Sequence, residues 1–287
     1  MSAIIMDGRK VAEAIYFDIP IFTDPLPMDV VPTLVVISVG NDEASKIYVR
    51  NKEKACARFG FSFLHFVLPA DCTQEDLNTL IRKFNADSNV HGIILQLPIP
   101  VHLDADEALE QIHPAKDVDG LGLTNTGYLA QNGYPDNFPC TALGVYKILL
   151  YYDIPLDGAH VVIVGRSKLV GKPLMHMMLN ENATVTVCHS HTKDLAAITR
   201  TADVLIVAAG SPKLITADMV QPGSVVIDVG INRVGGKVCG DVDFEHVKEV
   251  AGHITPVPGG VGPTTVASLI YNTAASCSWF NANCGGV

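Results

Sequence analysis

Charge is scarce in this chain. Asp, Glu, Lys and Arg make up 17% of its 287 residues against 48% apolar, so a sizeable core is available and disorder is disfavoured. Basic residues are scarcer still, 20 Lys and Arg against 30 Asp and Glu. The net charge of −10 argues against a nucleic-acid surface, which needs clustered cations to neutralise phosphates. The seven cysteines (Cys56, Cys72, Cys140, Cys188, Cys239, Cys277 and Cys284) form no C-x-x-C pair and are odd in number, a pattern that suggests neither a disulfide framework nor a zinc site. No other metal-ligand spacing occurs, so no metal is expected. Apolar runs of membrane-spanning length are missing too, and the first 22 residues lack the apolar stretch of a secretory signal and carry acids that a transit peptide avoids. The expectation is a soluble, cytoplasmic protein with no membrane partner.

What is present is an alternation of β and α segments. Apolar runs at residues 33–39, 61–68 and 92–97 alternate with helical stretches at 42–59 and 74–85. A second rhythm starts at residue 159 and continues through 204–209 and 225–231, with a helix at 141–152 between the two. A last helix, about 264–280, follows a Pro/Gly loop, and the tail 281–287 is expected to fray. Length and rhythm predict an α/β fold of two domains, the second a Rossmann-like parallel sheet.

Residues 160–192 read strand, glycine turn, helix, strand. Val161 to Val164 is continuous and β-branched, as a doubly buried parallel strand should be. Gly165 allows the turn, and Gly171 and Pro173 open a helix whose N–H groups are expected to face a pyrophosphate. The turn is not G-x-G-x-x-G. Nor is it a Walker loop, because five residues separate Gly165 from Gly171-Lys172 and Pro173 replaces the required hydroxyl; nucleotide hydrolysis and phosphotransfer are disfavoured. The second strand ends not in a carboxylate but in Cys188-His189-Ser190-His191-Thr192-Lys193, donors that suit a 2′-phosphate, with Arg166 as its natural bidentate partner. The cofactor expected is NADP.

On a helical wheel, residues 42–59 place Ala44, Ile47, Tyr48, Ala55, Cys56 and Phe59 on one face, opposite Lys46, Arg50, Glu53, Lys54 and Arg58. Lys52 falls inside the apolar face, one turn from Tyr48. A lysine removed from water has a depressed pKa and can exchange protons near neutrality; the plainer alternative is that it snorkels to solvent. Gln96 closes the run Gly92-Ile-Ile-Leu, at the strand end where open α/β sheets bind ligands, and could hydrogen-bond an amine or simply the backbone. In the turn Lys116-Asp117-Val118-Asp119-Gly120, a buried Asp119 could accept paired hydrogen bonds from an amino-pyrimidine ring. The loop Pro256-Val257-Pro258-Gly259-Gly260 is rich in residues that let backbone approach a flat ligand closely, though it also serves as a stiff lead into the last helix.

Taken together, Tyr48-x-x-x-Lys52, GIILQLP, KDVDGL, Phe138-Pro-Cys-Thr141, GRSKLVGKP, VIDVGIN and TPVPGGVGP resemble the bifunctional methylenetetrahydrofolate dehydrogenase/cyclohydrolase family, in the family's order, over about residues 45–266. The resemblance implies two α/β domains flanking a cleft: a folate-binding catalytic domain of residues 1–145 plus 266–287 and an NADP-binding domain of residues 146–265, in a homodimer. It implies NADP-dependent oxidation of 5,10-methylenetetrahydrofolate to the methenyl compound and hydrolysis of that to 10-formyltetrahydrofolate, with substrates with or without a polyglutamate tail. Lys52 would handle the proton in hydrolysis, Gln96 would tune it, and Tyr48 would position substrate and lysine. Asp119 would anchor the pterin, with Pro258, Gly259 and Gly260 at the substrate. Gly165, Arg166 and Ser167 would lie at the pyrophosphate and adenosine end, Ser190 and Arg166 at the 2′-phosphate, Gly230 and Ile231 at the nicotinamide, and Thr265 near the same cleft. The chain departs from the family's pattern at Ala142, where proline is common, at Tyr128, where a basic residue is common, and at His191, where lysine often stands. A competing reading, a non-catalytic dinucleotide sensor, would keep the Gly165 turn and have no use for Lys52 on an apolar face.

Overall fold

A computed structural model describes residues 2–133 and 135–284, without the side chains of Glu43, Ala44 and Cys284. By contact the chain divides into two compact units. Unit 1 is Met1–Ala14, Leu129–Asn132 and Thr141–Thr265; unit 2 is Ile15–Tyr128, Gly133–Cys140 and Val266–Val287. All but one of the divisions fall inside helices; the exception, between Asn132 and Gly133, lies between the helices Leu123–Ala130 and Cys140–Tyr151. The expected boundaries gave residues 1–145 to one domain, but the N-terminal strand β1 (Ile4–Ile5) pairs in parallel with residues 253–254, which draws Met1–Ala14 into unit 1. Two residues make too short a run to show a strand in the sequence.

After α1 (Gly8–Phe17) and the single turn α2 (Pro20–Thr23), unit 2 is built on β2 (Thr33–Val39). Every residue of β2 is buried, because it lies between β3 (Ser62–Leu68) and β4 (Gly92–Leu95) in a parallel sheet ordered β3-β2-β4. That is why it reads as an unbroken apolar run. Helix α3 (Glu43–Arg58) starts at Asp42, whose carboxylate accepts the Ser45 N–H at 2.7 Å, and α4 (Gln74–Ala86) carries a Thr73/Asp76 capping box. One core packs Val35, Ile37, Leu77, Ile81 and Ile93 together; a second joins Leu34, Val36, Val49, Cys56 and Ile94 to Leu269 and Ile270. Beyond α5 (Ala105–Glu110), a 3-10 turn at Pro114–Lys116 leads to α6 (Leu123–Ala130).

Helix α7 (Cys140–Tyr151) precedes the sheet of unit 1. There β5 (His160–Val164), α8 (Gly171–Asn180), β6 (Thr184–Cys188), α9 (Leu195–Thr199), β7 (Val204–Val207) and β8 (Val225–Asp228) follow in turn. A small antiparallel pair, β9 (Asn232–Val234) and β10 (Lys237–Cys239), comes before α10 (Phe244–Val247) and β11 (His253–Ile254). The six parallel strands are ordered β1-β11-β8-β7-β5-β6, so the chain reverses its direction of winding between β5 and β7. Such a switch point opens a ligand crevice at the strands' carboxyl ends. The last helix, α11 (Val261–Cys284), starts three residues before the expected position, since Pro263 sits in its first turn, where a missing N–H costs nothing. It also runs past Phe280 into the stretch expected to fray; residues 285–287 lie outside the described residues. Among the described residues, no helix is long and apolar enough to cross a membrane.

Candidate active site

The buried stripe of α3 differs from the one the wheel predicts. Ser45, Val49, Ala55 and Cys56 are buried, Lys52 is half-buried, and Ile47 and Tyr48 are 46% and 44% exposed. Ala44, also assigned to the apolar face, lies outside the described side chains. The stripe therefore runs through positions 45, 49, 52 and 56, and Lys52 lies along it rather than at its margin. Tyr48 keeps an open ring on the neighbouring strip of the helix.

Lys52 Nζ donates to Gln96 Oε1 at 2.9 Å, not to Tyr48. Strand β4 ends at Leu95, so Gln96 stands just past it, anchored by its own N–H to the Ile37 carbonyl at 2.8 Å. Its amide nitrogen donates to the Leu97 carbonyl at 2.8 Å, which fixes the orientation of the side chain and leaves the oxygen turned to the amine. Both readings of Gln96, backbone-bound and amine-bound, are met by different ends of one amide. Desolvation pulls the Lys52 pKa below the ordinary lysine value, opposed by the negative charge of Asp119. The Cys140 thiol also faces this amine, but burial pushes its pKa well up, so it stays protonated near neutrality and contributes little charge. Cys140 had no role in the sequence reading beyond its place in the Phe138-Pro-Cys-Thr141 run. Its burial, at 1% exposure, and its hydrogen bond to the Val118 carbonyl at 3.1 Å make it part of the wall around the amine.

The turn that carries Asp119 is held from several sides. Lys116, 3% exposed, donates to the Phe84, Asn85 and Asp87 carbonyls at 3.1, 2.8 and 2.7 Å, where α4 ends. The Asp117 carboxylate accepts the Gly120 and Gly122 N–H groups at 3.1 and 2.8 Å and Asn125 Nδ2 at 3.1 Å; burial pushes its pKa up. Asn272 of α11 donates to the Val118 and Phe138 carbonyls, both at 2.9 Å. Gly120 has φ +70, and a Cβ there would lie 2.6 Å from the Phe138 carbonyl carbon. Lys116, Asp117 and Asn272 thus serve Asp119, a dependence that residue types alone do not disclose. Asp119 itself remains half-buried and within electrostatic reach of Lys52.

In unit 1, Gly165 (φ +129) turns the chain at the end of β5, where a Cβ would collide with the Ala208 carbonyl, and a Cβ on Gly171 would collide with the Gly165 carbonyl. The N–H groups at the start of α8, expected to be unpaired, are partly taken: Ser167 Oγ accepts the N–H of Val170, just before the helix, at 3.2 Å, and the Ser167 carbonyl accepts that of Lys172 at 3.0 Å. Ser167 thus ties down the turn from four residues ahead of the helix start at Gly171, while the N-cap position itself, Val170, has no side-chain cap. Arg166 and Ser190 are exposed, and Arg166 lies near enough to His189 to lower its pKa, after desolvation. The turn after β6 is tied by the His189 N–H to Thr192 Oγ1 at 2.8 Å. Gly230 is buried and Ile231 is 52% exposed; both lie past the end of β8. Thr265 Oγ1 donates to the Val261 carbonyl at 3.2 Å. In the Pro/Gly loop, Pro258 is exposed, Gly259 has φ +107 and accepts the Gly8 N–H at 3.0 Å, and Gly260 is buried. Among the described residues no His/Cys/Asp/Glu cluster could hold a metal.

Comparison with known proteins bears on both units. Residues 6–119 match the family model described as tetrahydrofolate dehydrogenase/cyclohydrolase, catalytic domain, and residues 139–280 match the NAD(P)-binding domain of the same family. The bifunctional protein FolD of Exiguobacterium sibiricum is 50% identical over 272 residues, 94% of this chain and 98% of that protein. The crystal structure of a FolD methylenetetrahydrofolate dehydrogenase/cyclohydrolase from Campylobacter jejuni superposes with a TM-score of 0.93 at 46% identity, covering 96% and 99% of the two chains. A Trypanosoma brucei methylenetetrahydrofolate dehydrogenase-cyclohydrolase, solved with NADP and an inhibitor, superposes with a TM-score of 0.89 at 37% identity, covering 96% and 98%.

Proposed function

The chain belongs to the tetrahydrofolate dehydrogenase/cyclohydrolase family, and from that premise we propose how its residues divide the work. It is a bifunctional one-carbon folate enzyme: it oxidises 5,10-methylenetetrahydrofolate with NADP and hydrolyses the methenyl product to 10-formyltetrahydrofolate. The observation that carries the residue assignment is the desolvated amine of Lys52, hydrogen-bonded to an oriented amide. A non-catalytic dinucleotide sensor has no use for such an amine.

Hydrolysis begins when water adds to the methenyl carbon between N5 and N10. The neutral Lys52 amine takes the proton that water loses, a task for which its lowered pKa prepares it. The C–N5 bond then breaks, N5 gains a proton, and the formyl group stays on N10. Gln96 Oε1 holds one N–H of the amine throughout, which fixes the direction of the lone pair. Tyr48, open on the adjacent strip of α3, orients substrate and lysine. Asp119 accepts from the amino-pyrimidine end of the pterin, and Pro258, Gly259 and Gly260 offer backbone to its flat face.

The donor set of unit 1 suits a phosphorylated dinucleotide. Gly165 leaves room at the switch point, and the exposed Arg166 and Ser190 meet a phosphate without a carboxylate to repel it. Bound NADP would supply the acceptor for the hydride that leaves the methylene carbon. Protein side chains need only align the two reactants, since the folate nitrogens stabilise the developing cation. Ser167 shapes the turn, Gly230 and Ile231 border the nicotinamide, and Thr265 lies near it. Unit 2 would be the folate-binding part and unit 1 the cofactor-binding part. A cytoplasmic homodimer joined through its cofactor units, acting on folates with or without polyglutamate tails and not on nucleic acid or membranes, completes the reading.

Protein mixed with tetrahydrofolate, formaldehyde and NADP should generate methenyl absorbance, and should separately speed the decay of supplied methenyl compound. Absence of both signals would overturn the reading. Light scattering decides the dimer.

A further inference from the structure

Two buried carboxylates that neither reaction uses bind together the carboxyl ends of three adjacent strands in unit 1. Asp241 is wholly buried: its Oδ2 accepts the Ala209 and Gly210 N–H groups at 2.7 and 2.8 Å, and its Oδ1 accepts the Ser211 N–H at 2.9 Å and Asn232 Nδ2 at 2.8 Å. Three successive amides form a concavity of the kind that binds anions, here filled from within. Asp228, at the end of β8, accepts the N–H groups of Gly230 (2.9 Å), Asp241 (3.0 Å) and Val242 (3.0 Å), while its own N–H donates to Thr255 Oγ1 at 2.8 Å, just after β11. Glycine is required on both sides: a Cβ on Gly230 would run into the Asp241 carboxylate, and one on Gly240 into that of Asp228.

The segment that Asp241 grips begins one residue after Ala208, whose carbonyl fills the space left by the absent side chain of Gly165. Across the switch point, the shape of the glycine turn therefore depends on where residues 208–211 are held. On the other side, Asp241 and Asp228 hold Asn232 and Gly230, which flank Ile231.

We propose that Asp241 is a positioning residue for the dehydrogenase reaction, holding residues 208–211 and 230–232 in the shape that receives the nicotinamide half of NADP. The inference rests on the NADP-dependent activity proposed above. It makes Gly230 a clearance for a carboxylate as much as a border of the cofactor.

The test is Asp241→Asn in the full chain, which keeps the size but turns an NH2 group toward backbone donors. Deuterium exchange at Ala209, Gly210 and Ser211 should accelerate. NADP affinity, measured by titration calorimetry, should weaken about tenfold or more, the scale of a buried hydrogen bond to a charged group. Dehydrogenase kcat/KM should fall at least as far, while hydrolysis of supplied methenyl compound in the same preparation stays nearly unchanged. A clamp that served stability alone would leave NADP affinity unmoved and lower both activities together, and that result would overturn the proposal. Should Asp241→Asn fail to accumulate, Asn232→Ala deletes one donor only and should weaken NADP binding severalfold; unchanged affinity there refutes the idea equally. Wild-type protein without NADP-dependent oxidation would bring down the functional reading and this inference with it. An active wild type with an indifferent Asp241→Asn would bring down the inference alone.

Discussion

Charge is buried in both units, but on opposite terms. In unit 1, Asp241 and Asp228 accept four and three hydrogen bonds, almost all from backbone N–H groups. In unit 2, the Lys52 ammonium has Gln96 as its one hydrogen-bond partner among the described residues. A charge with its hydrogen bonds filled has little capacity left for chemistry and works as a fastening. One left with a single partner is ready to give up its proton. Unit 2 also holds its own control, since Lys116 is more deeply buried than Lys52 and donates to three carbonyls.

The contrast breaks most visibly at Lys52. Lys52→Ala should slow hydrolysis of the methenyl compound by about 10²–10⁴-fold, the range for removing a general base, with NADP affinity intact. Stopped-flow decay of the methenyl absorbance measures it, and near-normal hydrolysis would end the assignment. Lys116→Met should do the reverse, lowering stability by about 1–3 kcal/mol through unsatisfied helix-end carbonyls and raising KM for the folate as the Asp119 turn loosens, while the kcat for hydrolysis by the folded fraction survives. Urea titration alongside turnover separates the two.

The units should also diverge in acid. Burial lowers the His91 pKa from 6.5 to about 4, so its contribution to stability is complete above pH 6.5 and is lost as pH falls toward 4. Burial raises the Asp228 pKa from 3.8 to about 6, so its contribution is present below pH 3.8 and is lost as pH rises through 6. Each amounts to about 3 kcal/mol at 1.36 kcal/mol per pKa unit. Between pH 6 and 4 these two groups should weaken unit 2 and strengthen unit 1, and hydrogen exchange followed separately in each unit reads the divergence. Smaller effects are expected at Gln96 and Arg166. Gln96→Glu sets an anion beside the amine and raises its pKa, so the alkaline rise of the hydrolysis rate should move to higher pH, with about tenfold lower activity at pH 7 if the shift is one unit. Arg166→Ala should raise KM for NADP by about tenfold and leave that for NAD nearly unchanged, as expected for a lost phosphate fork.

Much of this could be read from the sequence, for reasons specific to each element. The strand β2 falls at its expected limits because a doubly buried strand shows an unbroken apolar run. Lys52 was found because a lone cation interrupts an apolar stripe. The wheel nevertheless misplaced Ile47 and Tyr48, since residue type alone does not separate an apolar side chain left exposed from one in a core. Asp241 gave no signal at all, because it works through backbone N–H groups brought in from residues 209–211, about thirty positions away, and only the fold assembles them.

The pairing of β1 with β11 has a further consequence for how the protein is made. Ile4 and Ile5 leave the ribosome well before their partners His253 and Ile254, which lie about 250 positions further along the chain. During synthesis the β11 edge of this sheet does not yet exist when β1 emerges, so β1 has to wait for its partner until the chain has been translated through residue 254.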